Sequence, residues 1–167
     1  LRRFSLNLPY IKGEEWPHLR QFLKGQKNLE TLSLCLTTTP CDRPNHVYQN
    51  ASLQRIIKSL ATNKPFLTSL ELKSPFWSLE ALSKGFANFT QMNQLHTLII
   101  QGSDDPITSD ETLEKRVGGL CSFIRNQDKS LKTLKISLLF VLRDKIINSF
   151  AAAIARLGQL RELDILM

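Results

Sequence analysis

The sequence predicts an α/β fold of the repeat type, a parallel sheet of short strands with a helix after each strand and the helices gathered on one face. Two observations carry that expectation. A strand-like apolar motif recurs six times in 167 residues, and between its copies the apolar spacing switches from alternate residues to the helical period. A third observation fixes the layering: each strand motif is apolar on one side only, so one face of the sheet has to meet water.

The motif sets apolar residues at relative positions one, four and six: Leu1-Phe4-Leu6, Leu29-Leu32-Leu34, Leu67-Leu70-Leu72, Leu95-Leu98-Ile100, Leu131-Leu134-Ile136 and Leu160-Leu163-Ile165. Positions four and six of an extended chain point to one side, and the residues between them point to the other. The copies start at 1, 29, 67, 95, 131 and 160, so three intervals lie near 28 and two carry insertions. In chain order the intervening helical stripes are Trp16, Leu19, Phe22 and Leu23, stopping at Gly25; then Leu53, Ile56, Ile57, Leu60 and Ala61, with Asn50 and Ser52 as cap candidates. Leu79, Leu82, Phe86 and Phe89 follow Ser78. Thr108 with Glu111 reads as a capping box ahead of Leu113, Val117, Leu120, Cys121 and Ile124, and Ile146, Ile147, Phe150, Ile154 and Leu157 form the last stripe. A doubly wound sheet would share this alternation, but its central strands would be apolar almost throughout. Here Thr31, Ser33, Ser69, Glu71, Thr97, Thr133, Lys135, Glu162 and Asp164 hold the outward positions.

Ser52 to Leu72, SLQRIIKSLATNKPFLTSLEL, and Phe150 to Leu166, FAAAIARLGQLRELDIL, resemble the helix-turn-strand phrasing of leucine-rich repeats of the ribonuclease-inhibitor class. The resemblance covers nearly the whole chain and implies a solenoid of five to six irregular repeats over 1–167, with a curved parallel sheet on the concave side and helices on the convex side. It departs from the family at relative position nine, where Asn or Cys usually ties the turn; Pro9, Thr37, Pro75, Ser103 and Leu139 stand there. The resemblance implies a protein-binding module, as in sensors, substrate receptors of ubiquitin ligases or regulators of small GTPases. Neither end carries a polar capping repeat, so a segment of a longer chain with apolar edges at both ends is expected.

In such a sheet the outward positions three, five and seven stack into columns, and a protein partner is expected there. The candidate contacts are Thr31, Ser33, Ser69, Glu71, Lys73, Thr97, Ile99, Gln101, Thr133 and Lys135. The columns mix both signs of charge, and the formal net charge of +7 falls mainly on helices and turns, in Lys12, Arg20, Lys24, Lys27, Arg55, Lys58 and Arg125 among others. That scatter suits a solvated face better than a phosphate track, which leaves nucleic acid as a minor alternative. An architectural subunit or spacer of a larger assembly is the other alternative.

Enzyme chemistry is not expected, nor a small-molecule substrate, a cofactor or a metal. His18, His46 and His96 are far apart in sequence, and no HExxH, Walker loop, GxSxG or CxxC is present. Cys35 and Cys41 lack matching ligands for zinc. Three cysteines without paired spacing favour a reducing cytoplasmic or nuclear location, and no apolar run is long enough to span a membrane. Two insertions, Leu36 to Gln49 and Gln101 to Ser109, read as loops, and Phe76 with Trp77 reads as a turn, either a packing wedge beneath the next helix, the favoured reading, or an exposed interface anchor.

Overall fold

The computed structural model describes residues 1–9, 11–37, 45–63, 65–87, 89, 94–103, 110–139 and 144–166. Among these, β1 (Arg3–Leu8), β2 (Thr31–Leu36), β3 (Ser69–Ser78), β4 (Thr97–Ser103), β5 (Thr133–Leu139) and β6 (Glu162–Leu166) alternate with five helices. The helices are α1 (Trp16–Gly25), α2 (Asn45–Asn63), α3 (Leu79–Phe86), α4 (Asp110–Arg125) and α5 (Asp144–Ile154). The strands form one parallel sheet in the order β1-β2-β3-β4-β5-β6, without the reversal of order that a doubly wound sheet requires.

The recurrence seen in the sequence is a recurrence of backbone bonds. At relative position two, the Arg2 carbonyl accepts from Glu30 N (2.7 Å) and Thr31 N (3.0 Å), and the Glu30 carbonyl accepts from Thr68 N and Ser69 N in the same way. Thr68, His96 and Lys132 repeat the arrangement with the next strand. Each strand therefore enters the sheet at the same relative position, which brings the leucines of successive motifs into register: Leu32 opposite Leu70, Leu70 opposite Leu98, Leu98 opposite Leu134.

Positions four and six of β2 to β5 are buried, as are the position-one residues Leu29, Leu67, Leu95 and Leu131. They meet the helical stripes Leu53, Ile56, Ile57 and Leu60, then Leu79, Leu82 and Phe86, then Val117, Leu120 and Ile124. Each helix packs on the next along the row. Between α3 and α4, Phe86 and Phe123 stack at 4.6 Å, and Phe89 meets Phe123 edge-on at 5.0 Å. These two helices also approach backbone to side chain: the Ser83 hydroxyl oxygen accepts from Gly119 N (2.9 Å) and Leu120 N (3.3 Å), and a Cβ on Gly119 would run into the Ser83 carbonyl oxygen.

Three local expectations are corrected. The helix expected to be capped by Asn50 or Ser52 starts earlier, at Asn45, within the stretch read as a loop. Asn50 is instead a tie between units, its Oδ1 accepting from Ser78 N at 3.0 Å. Phe76 and Trp77 lie in β3 rather than in a turn, because the strand continues past Pro75 with a register shift between Lys73 and Ser78. Trp77 is fully buried, which is the packing role foreseen for it; the side chain of Phe76 lies outside the described residues. Ser78, the residue before the third stripe, caps α3, its hydroxyl accepting from Ala81 N at 3.2 Å. Thr108 and the Glu111 side chain, and with them the capping box, lie outside the described residues.

Among the described residues, the stripe and motif positions that stay largely exposed lie at the edges of the sheet. Phe22 is 41% exposed although its ring packs 5.0 Å from Phe4, and Ile147 and Leu163 are 44% and 48% exposed. At the β6 edge this leaves an apolar trough of about 540 Å³ lined by Ile147, Phe150, Ala151, Ile154, Ala155, Leu163 and Ile165. No helix among the described residues is long and apolar enough to cross a membrane.

Candidate interaction surface

The pairing register sets the outward residues in three straight columns. Relative position three gives Arg3, Thr31, Ser69, Thr97, Thr133 and Glu162. Position five gives Ser5, Ser33, Glu71, Ile99, Lys135 and Asp164, and position seven gives Asn7, Cys35, Lys73, Gln101, Ser137 and Leu166. All ten sequence-predicted contacts, Thr31, Ser33, Ser69, Glu71, Lys73, Thr97, Ile99, Gln101, Thr133 and Lys135, lie on this one face, and each is half-buried. Neighbouring positions in a column belong to strands about 4.8 Å apart, so six strands give a platform roughly 24 Å across.

The charges on the face are organised across strands. The Ser33 hydroxyl donates to Glu71 Oε2 at 2.5 Å, and Lys73 Nζ donates to Glu71 Oε1 at 2.6 Å. Burial pushes the Glu71 carboxyl up, but the hydrogen bonds from Lys73 and Ser33 and the Lys73 charge outweigh it and hold the group below its ordinary value. Two strands further along the same column Lys135 Nζ lies 2.6 Å from Glu162 Oε1; the hydrogen bond and attraction raise the Lys135 pKa and lower that of Glu162. Arg2 reaches Glu30 at 3.6 Å. Three cations of the face are thus tied to carboxylates, which leaves a patterned surface instead of a continuous positive stripe. Ile99 is the apolar centre of the middle column, with Glu71 on one side and Lys135 on the other.

Cys35 is on β2 at position seven, and His96 is exposed just before β4 at position two. Cys121 is buried on α4, where loss of solvation pushes its thiol up to about 11 despite the nearby Arg125 charge. No group of three or more His, Cys, Asp or Glu side chains is placed to hold a metal among the described residues. Cys41 and most of both insertions, at 38–44 and 104–109, lie outside the described residues.

Two polar arrangements were not visible in the sequence. Gln127, fully buried after α4, accepts with its Oε1 from Leu95 N and from the Ser130 hydroxyl, both at 3.3 Å, and so ties the start of one unit to the end of the next helix. On the helix side a small cleft is lined by Trp16, Pro17, Arg20, Ser52 and Arg55. Helical spacing could have paired Trp16 with Arg20 and Ser52 with Arg55, but only the packing of α1 on α2 joins the pairs.

No protein-family model matches the chain, and a search of curated proteins gives no match.

Proposed function

We propose that the chain is a leucine-rich-repeat solenoid of the ribonuclease-inhibitor type, and that it binds a protein partner through the outward face of its sheet. The supporting observation is the register: six parallel strands in sequence order hold polar and charged side chains in aligned, half-exposed columns on one face. Helices packed side by side sit about 8–10 Å apart while strands sit about 4.8 Å apart, so a sheet with helices on one side curves with that face inside. A concave platform with an apolar centre at Ile99, rimmed by Glu71, Lys73, Thr97, Gln101 and Lys135, suits recognition of a helix or loop, where a central contact is shielded by a polar surround. A partner of this kind needs neither a cofactor nor a small-molecule substrate, and cytoplasm or nucleus is the location we propose for it.

Glu71, Lys73, Thr97 and Lys135 replaced together should abolish capture of the partner while the circular dichroism spectrum stays unchanged. A photo-crosslinking residue at Ile99 should trap that partner, whereas one at Lys58 on α2 should not. Undiminished capture by the quadruple variant would reject the proposal. The apolar trough at α5 and β6 favours a second reading, a spacer within a larger assembly, and trapping of the same partner from Ile147 and not from Ile99 would select it.

A further inference from the structure

We propose that copies of this chain stack end to end, β6 of one copy taking β1 of the next as its parallel neighbour and α1 of that next copy covering the apolar trough on α5. The two outer strands carry matching halves of the bond that joins every inner pair. Inside the sheet a position-two carbonyl accepts from the position-two and position-three amides of the following strand, as that of Lys132 does from Arg161 N and Glu162 N. Among the described residues the Arg161 carbonyl, just before β6, meets no such donors, and the Arg2 and Arg3 amides at β1 meet no such acceptor. Unpaired edge groups of this kind are the template on which a sheet adds a strand.

The side chains match in the same register. Position four would set Phe4 beside Leu163, and position six Leu6 beside Ile165; none of these is fully buried, whereas their counterparts on β2 to β5 are. Phe22, exposed on α1 at the opposite edge, would enter the trough that Ile147, Ile154 and Leu163 line, as each inner helix packs on the next. Position three sets Arg3 beside Glu162, whose carboxylate Lys135 holds from the inner side, and position five sets Ser5 beside Asp164. Position two sets Arg161 beside Arg2, a like pair offset by the Glu30 carboxylate 3.6 Å from Arg2. The β6 edge thus brings two carboxylates and one guanidinium to the two guanidiniums of β1, while β6 against β6 would oppose carboxylate to carboxylate. Charge therefore selects unlike edges. A contact between two different surfaces repeats without a fixed end, and it extends the sheet in its own plane, so the proposed recognition face stays uncovered.

Sedimentation velocity over a range of concentrations should give a mass that rises from 19.1 kDa past that of a dimer. Phe22→Lys on α1 and Ile147→Lys on α5 each block one edge; both sites are exposed, so the variants keep the fold, as circular dichroism checks. Each variant should stay monomeric alone, and the two mixed should form a one-to-one pair that grows no further. Arg3→Glu sets like charges at position three and should weaken association at least about tenfold, while Arg55→Glu, the same charge change at an exposed position of α2, should leave it unaltered. A monomer at every concentration hands the trough to another protein or to a further stretch of chain and overturns the proposal. So does a mass that stops at the dimer, or self-association of either lysine variant, since like edges would then be pairing.

Discussion

Two adjacent glycines in α4 offer a stringent test of how α3 and α4 pack. An alanine Cβ at Gly119 would run into the carbonyl oxygen of Ser83, 2.9 Å from its carbonyl carbon and 3.0 Å from the Ala87 Cβ. The nearest obstacle is backbone and cannot rotate away, so the helices must part by about 1 Å. The movement loosens the Phe86–Phe123 stack and the two bonds to the Ser83 hydroxyl. Overpacking of this sort costs about 3 kcal/mol at the upper end of the usual range, while replacing a helical glycine by alanine returns about 0.5–1 kcal/mol. Gly119→Ala should therefore lose about 2 kcal/mol, seen in a chain of this size as a fall in Tm of roughly 4–8 °C. Gly118 has nothing within 4 Å of the same added atom and no positive φ, so Gly118→Ala keeps only the helical gain and should melt about 1–4 °C higher than the parent. Thermal and urea unfolding followed by circular dichroism measure both. Equal stability of the two variants would refute the close approach of α3 and α4, and with it the row of helices along one face.

Gln127→Ala should cost about 2 kcal/mol in urea unfolding, because it strands the Leu95 N–H inside the protein as well as opening a void. Because the folded protein holds the Glu71 carboxyl below its ordinary 4.5, its ionised form adds stability that is full above that value and is lost as pH falls through the folded pKa. The gain is small, well under about 1 kcal/mol for a partly exposed group, and acid titration of stability should bring parent and Glu71→Gln together below it. With the Cys121 thiol pushed up to about 11, only about 0.1% is thiolate at pH 8; with Cys35 and Cys41 replaced by serine, a thiol reagent should modify the protein only after denaturant is added.

The strands, their order and the facing of every column residue were legible because the motif at positions one, four and six reports a burial pattern that each unit repeats against its neighbour. What escaped depended on contacts between units. Pro75 reads as a strand breaker, yet β3 runs through it by shifting register, which places Trp77 in the core. Asn50 has the chemistry of a helix cap, but its acceptor is used by Ser78 in the following unit, and α2 begins a turn earlier. Gln127 carries no local signal, since its partner Leu95 belongs to the preceding strand entry. Phe22 and Ile147 have the right periodicity for burial and stay exposed because each occupies an edge where one neighbour is missing. Of the candidate site, the residues were readable one by one; the Ser33–Glu71–Lys73 cluster and the Lys135–Glu162 pair needed the register.

Spin labels along the middle column test the ordered sheet most directly. With one label fixed at Ser5 and the second placed in turn at Ile99, Lys135 and Asp164, the backbone separations should rise with every strand, to roughly 14, 19 and 24 Å before any shortening by curvature. A separation that falls at any step along this series would break the sequential order of strands, and the aligned recognition face would go with it.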